Sequence, residues 1–257
     1  MRAIPPRHAS LFVIVALGLA ASAKDAAAGE IQVEPTRLDL VNRGAATELT
    51  VTNRGSVATR FEAKVFAWAQ DDQGTMQLAP TTDVVVYPTL FSLAPGGARA
   101  IRLATTTNAS ATERSYRVFV EELPPARAPV AEGGKVKIAV LTRVGVPIFV
   151  AATAPEFRGD VAATLHDGTV KLALANRGSV HVKVASVRVI GRDRDGATVV
   201  DQQQPSWYLL AGGTRTYTLD LTATCARIAT LAVEAVTDHG TWQATVAKPP
   251  DGCHGGE

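Results

Sequence analysis

The residues best able to do chemistry are dispersed along the chain. Of the five histidines, His8 lies in an N-terminal targeting segment and His254 close to the last residue. His166 precedes Asp167-Gly168, and His239 sits between Asp238 and Gly240, so both read as turn residues. His181 opens a strand. No histidine pair has the spacing of a zinc helix. There is no G-x-S-x-G elbow and no phosphate-cradling glycine loop. Arg192-Asp193-Arg194-Asp195-Gly196 echoes the start of a calcium loop. It lacks the later ligands and the terminal glutamate, and reads as a hairpin turn. The two cysteines, Cys225 and Cys253, belong to no CxxC motif and no Cys/His cluster. The sequence therefore predicts no enzyme, no metal site and no cofactor.

The N-terminus gives the compartment. Arg2, Arg7 and His8 precede an apolar run from Leu11 to Ala23, followed by the small-residue sites Ala21-Ser22-Ala23 and Ala26-Ala27-Ala28. A positive start, a short apolar stretch and a small-residue exit describe a secretory signal peptide. The run is short for a membrane span, which needs about 20 apolar residues. Cleavage after Ala28 places Glu30-Ile31-Gln32-Val33 at the head of the first strand. An exported chain meets an oxidising compartment, so a disulfide between Cys225 and Cys253 is expected, stapling only the last strands. Apolar residues make up 46% and charged residues 19%, which is enough for a packed core. A formal net charge of +2, with no basic cluster among aromatics, argues against nucleic acid.

The elements that must position any site are strands. ELTVTN, RFEAKVFAW, ARAIRLAT, YRVFVEEL and KVKIAVLTRVGVPIFV alternate or run apolar over short spans. Turn chemistry at Asn53-Arg54-Gly55, Asp72-Gln73-Gly74 and Pro95-Gly96-Gly97 interrupts them. Short strands at near-regular spacing predict an all-β sandwich or barrel, and no segment has a helical period. The chain also repeats itself. LTVTNRGSV at 49–57 resembles LALANRGSV at 172–180, and LAPGGARAIRL at 93–103 resembles LLAGGTRTYTL at 209–219. The order is the same and the offsets are 123 and 116 residues. Two tandem copies of one domain type account for this; shared turn chemistry is the plainer alternative. The expected layout is a signal peptide at 1–28, domains at 29–152 and 153–248, and a tail at 249–257. The Pro/Ala/Gly-rich stretch from Leu123 to Lys135 reads as a long loop inside the first domain.

The stretch that follows this loop, Lys135–Val150, is predicted as one long strand. Val136, Ile138, Val140, Thr142 and Val144 share a face; Lys135, Lys137, Ala139, Leu141 and Arg143 share the other. By periodicity, Val136, Ile138 and Val140 fill the strand's own core. A long strand with an open edge can instead lend itself to a partner sheet.

EPTRLDL at 34–40, YPTLFSLAPGGARAIRL at 87–103, SYRVFVEELP at 115–124 and KVKIAVLTRVGVPIF occur in this order. Together they resemble the PapD-like periplasmic chaperones of the chaperone–usher pilus pathway. The loop-then-strand stretch is most similar to the archaic branch, whose pili include spore-coat-U-like subunits. The match covers most of residues 31–150; the second domain matches only by general pattern.

The resemblance implies two tandem immunoglobulin-like β-sandwiches in a boomerang arrangement. It implies pilin subunits as partners, capture by donor-strand complementation, and delivery to an outer-membrane usher. No nucleotide, small-molecule substrate or cofactor enters that scheme. Val136, Ile138 and Val140 become the donor side chains, and Arg37 becomes one anchor for the subunit's terminal carboxylate. Elsewhere in the family a second basic residue stands where this chain has Gly145; Arg143, two residues earlier on the same face, is the natural substitute. An arginine that ties the domains together elsewhere in the family falls on Phe149. The competing class is a structural immunoglobulin-like component of a pilus or surface. It predicts an N-terminal donor extension, whereas strands here begin directly after the signal.

Overall fold

The computed structural model describes residues 31–125, 140–247 and 253. The expected signal peptide, the donor residues Val136 and Ile138, and most of the expected tail lie outside the described residues. Ten strands up to Val150 form one sandwich: β1 (Ile31–Glu34), β2 (Leu38–Leu40), β3 (Ala46–Asn53), β4 (Thr59–Gln70), β5 (Met76–Pro80), β6 (Val84–Tyr87), β7 (Leu90–Leu93), β8 (Ala98–Thr105), β9 (Arg114–Glu122) and β10 (Arg143–Val150). One sheet runs β1-β3-β8-β6; the facing sheet runs β2-β10-β9-β4-β5, with β7 beside β4. A second sandwich holds β11 (Gly159–His166), β12 (Thr169–Asn176), β13 (Val182–Arg192), β14 (Thr198–Pro205), β15 (Tyr208–Leu209), β16 (Thr214–Asp220), β17 (Thr230–Thr237) and β18 (Gly240–Ala247). Its sheets run β11-β12-β16 and β14-β13-β17-β18. One helical turn, α1 (Thr222–Cys225), interrupts it. The protein is thus an all-β chain of two immunoglobulin-like sandwiches.

Alternation builds each core. In β3, Leu49 and Val51 point inward between the polar Glu48, Thr50 and Thr52, and Leu49 stands opposite Ile101 of β8. Burying such a pair contributes about 1.5–3 kcal/mol per side chain. The cores are separate clusters, one around Leu49, Phe61, Ile101 and Val118, the other around Leu172, Val184, Leu219 and Val233. Cys225 and Cys253 are disulfide-bonded, with Cα atoms 5.5 Å apart, and Cys225 is buried in the second core.

The sequence repeats occupy equivalent places. The Asn53 amide donates to Val57 O and Leu93 O and accepts from Gly55 N. The Asn176 amide donates to Val180 O, Leu209 O and Leu210 O and accepts from Gly178 N. Each asparagine also donates its own N–H to a glycine carbonyl, Gly97 or Gly213, at 2.9 Å. The preceding residues, Gly96 and Gly212, have φ of 71° and 70°, a left-handed turn that side chains resist. A hairpin closes at Asp193–Gly196, where Asp193 Oδ1 accepts from Asp195 N and Ala197 N. It makes a turn of the calcium-like segment. Among the described residues, no three His, Cys, Asp or Glu side chains gather as a metal site.

One expected element is shorter than predicted. Among the described residues the strand begins at Arg143, not at Lys135, and Val140–Thr142 precede it. Its antiparallel partner β9 ends at Glu122, and Pro124 and Pro125 follow. Proline has no N–H to give a ladder, so pairing stops there. Beyond the strand itself, a backbone bond runs from Glu122 N to Thr142 O, 2.9 Å.

Candidate functional site

β10 has two neighbours of unequal length. β9 pairs antiparallel with all of Arg143–Val150. β2 pairs parallel with Ile148–Val150 only. Among the described residues, no strand lies along the other side of Arg143–Pro147. That stretch is an open edge, and such edges invite pairing with another chain. Val144, Val146 and Ile148 face the core. Val140 carries the same parity out of the sandwich and is 68% exposed; Leu141 beside it is exposed too.

The face of this sheet turned away from its core brings the other candidates together. Alternation places Arg37 and Asp39, then Arg143, Gly145, Pro147 and Phe149, then Arg117, Phe119 and Glu121, then Phe66, Trp68 and Gln70 on that side. Arg37 donates from Nε to Asp39 Oδ2 at 3.0 Å and stays half exposed. Arg143 is ion-paired with Glu121, and its guanidinium lies 3.9 Å from the Phe119 ring centre. Gly145 stands opposite Phe119. A Cβ there would sit 2.7 Å from Phe119 Cε1 and 3.4 Å from Arg117 Nη1. A lysine at 145 would therefore have to displace Phe119, which explains the glycine where a second cation was sought.

Sequence reasoning missed Arg117. It is 7% exposed and stands opposite Pro147. Its guanidinium lies 4.8 Å from the Trp68 ring and 4.4 Å from that of Trp207, a residue of the second sandwich. Burial pushes its pKa below the ordinary guanidinium value, which leaves it charged at neutral pH. The available signal was a lone arginine in Tyr116–Val120, a run too apolar for one face alone.

The two sandwiches meet across this face. Trp68, Phe149, Tyr208 and Leu210 form a buried cluster with Met76 and Trp207 packed on it. Phe149, the position read as a lost domain tie, stacks flat on His181 at 3.6 Å. His181 Nδ1 lies 2.8 Å from Glu113 Oε1, and His181 N donates to the same oxygen at 3.1 Å. Gln70 reaches across from β4. Its Nε2 donates to Tyr208 O at 2.8 Å, and its Oε1 accepts from Leu210 N at 3.0 Å. Thr216 N donates to Asp72 O at 3.0 Å. Burial raises the pKa of the Tyr208 hydroxyl, and Arg37 and, more weakly, Arg117 pull it back down.

Comparison with known proteins follows the same lines. Residues 30–152 match the family described as "Pili and flagellar-assembly chaperone, PapD N-terminal domain". Comparison with curated proteins gives no match. Among solved structures, the chain is similar to one from the CsuC–CsuE chaperone–tip adhesion subunit pre-assembly complex of the archaic chaperone–usher Csu pili of Acinetobacter baumannii. Identity there is 18% over 84% of this chain and 97% of that one, with a TM-score of 0.57. It is also similar to the E. coli chaperone DraB, at 16% identity over 84% and 96% of the two chains and a TM-score of 0.52. A third likeness is to a chain of the Salmonella enterica SafA pilin–SafB chaperone complex, at 16% identity over 85% and 97% and a TM-score of 0.53. At these identities the likeness is one of fold.

Proposed function

Because residues 30–152 belong to the PapD N-terminal domain family of pilus and flagellar-assembly chaperones, we propose that this protein is a periplasmic chaperone that captures pilin subunits and hands them to an outer-membrane usher. The observation that carries this reading is the open edge of β10 over Arg143–Pro147, continuous in sequence with exposed Val140. A subunit strand added there gains ladder hydrogen bonds. Val136, Ile138 and Val140 then insert into the groove where the subunit's own sandwich lacks a strand, and alternate apolar side chains set specificity. Binding of this kind needs no nucleotide and no catalytic residue. It covers an apolar surface that would otherwise aggregate.

Arg37 supplies a cation for the subunit's terminal carboxylate. It is half exposed, and Asp39 holds its Nε without burying it. The domain seam fixes the direction of approach, since Gln70 and the His181–Glu113 pair hold the second sandwich beside the edge. Co-expression of a tagged pilin subunit with the exported protein tests the reading. The pair should co-purify from the periplasmic fraction. A subunit that accumulates equally without this protein would refute it, and would favour a structural component of the pilus instead.

A further inference from the structure

The outer edges of the sheets are not equally protected. In the second sandwich β14 carries Asp201 and a run of glutamines, and Arg188 holds Asp201. In the first, β1 carries Gln32 and Glu34, and β5 carries Gln77 and Pro80. Charged residues and proline on an edge keep it from pairing with another chain. β6 is Val84-Val85-Val86-Tyr87, with no charge in the strand and no proline before Pro88.

β6 pairs with β8 on one side only. Thr106 N donates to Asp83 O at 2.8 Å, so Asp83 turns its carbonyl towards β8. By alternation Val85 and Tyr87 do the same, and the N–H and C=O of Val84 and Val86 point the other way. Among the described residues nothing bonds to them there. Beside them lies a groove of about 370 Å³, lined on its far side by Ala63, Val65, Phe66 and Pro80. The groove exists because β4 has no strand beyond it between Glu62, where its pairing with β7 ends, and Phe66, where its pairing with β5 begins. On the outer face Val85 and Tyr87 are 51% and 77% exposed, and Val85 continues a row of small residues, Ala104 and Ala46.

We infer that β6 is an interface between two copies of this chain, joined through antiparallel β6 strands about a two-fold axis at Val85. In that register Val84 stands opposite Val86 of the second copy, and every open N–H and C=O of both strands finds a partner. Sliding the copies until Val86 meets Val86 would instead set Pro88, which has no N–H, against Val84. Paired residues share a face, so Val84 and Val86 of the second copy turn into the groove over Ala63, Val65 and Phe66. Val85 meets Val85 on the outer face and joins the two apolar rows. Asp83 stands opposite Tyr87, so no like charges meet. β6 lies over β4, and β9 separates β4 from β10. The β10 edge therefore stays open, and the interface is independent of the chaperone reading.

The test follows the oligomeric state of the exported protein by analytical ultracentrifugation over a concentration series. So short a ladder is small against a standard interface, and the dimer is a weak one. Wild type should pass from monomer to dimer as concentration rises. Val85→Lys sets two ammonium groups against each other at the axis. It should weaken association about tenfold or more, with an unchanged melt because the side chain is exposed. Cysteines read the register, since the native pair is already bonded. Val85 meets its copy in a non-hydrogen-bonded pair with Cα atoms about 4.5 Å apart, so Val85→Cys should cross-link on oxidation with diamide. Tyr87→Cys, more exposed but roughly 14 Å from its counterpart along the ladder, should not. A wild type that stays monomeric overturns the proposal; if its Val85→Lys variant also loses a co-expressed pilin subunit, the edge belongs to that partner instead. A dimer that Val85→Lys leaves intact lies elsewhere on the chain and overturns it too. Should Val85→Lys not fold, the cysteine variants decide: equal cross-linking of the two overturns the interface.

Discussion

Phe149 lies flat on His181, with ring centres 3.6 Å apart and planes 11° from parallel. The first residue lies next to the end of β10, the last strand of one sandwich, and the second immediately precedes β13 of the other, so this stack joins the two. Glu113 completes it from β9's approach by accepting from both the ring and the backbone of His181.

Glu113→Ala should therefore loosen the seam. It leaves two buried donors of His181 without an acceptor, at a cost of about 1–3 kcal/mol. Calorimetry should show a lower and broader unfolding transition as the two sandwiches lose cooperativity. A transition of unchanged midpoint and width would mean that the stack alone holds the domains.

Tyr116 sets an alkaline limit. Its hydroxyl donates to Asp83 Oδ2 at 2.8 Å, and burial followed by that bond raises its pKa to about 12. The unfolded chain loses this proton near pH 10. Stability from this group is thus fully present below pH 10 and is lost as pH rises through 12. Urea titrations should show that fall in the wild type and a shallower one in Tyr116→Phe. At neutral pH the same variant should be less stable by about 1.5–3 kcal/mol, the value of a hydrogen bond to a charged group.

The paired asparagines should behave alike. Asn53→Ala and Asn176→Ala each strip a buried turn of its side-chain bonds, costing about 1–3 kcal/mol in denaturant unfolding. Asn176 makes the additional bond to Leu210 and should cost more.

This symmetry was legible in the sequence because Asn-Arg-Gly-Ser and Gly-Gly carry backbone demands that belong to the local segment. Alternation likewise announced the strands around Leu49 and Ile101. The start of β10 was not legible, since it depends on where its partner β9 meets Pro124 and Pro125. Arg117 was hidden for a related reason. Sequence periodicity says which face a side chain takes, but not that an indole from residue 207 will cover that face. The Phe149–His181 contact has the same origin, two residues brought together only when the domains dock.

The disulfide should matter to one sandwich only. Closing the 28-residue separation between Cys225 and Cys253 stabilises the second core by about 3–4 kcal/mol in the chain-entropy account. Thiol titration of the denatured, unreduced protein should find none. Reduction should lower the second sandwich's melting temperature and leave the first unchanged. Two titratable thiols would contradict the bridge.

Capture of a pilin subunit by Ile138→Asp is the most direct measurement. A tagged subunit is co-expressed with wild type or variant, and retention is compared alongside thermal melts. An aspartate at the centre of the donor segment would carry an unpaired carboxylate into an apolar groove, a large desolvation penalty. The variant should lose the subunit while melting at the wild-type temperature. A variant that unfolds outright, or one that retains the subunit as wild type does, would contradict donor-strand capture by Val136, Ile138 and Val140.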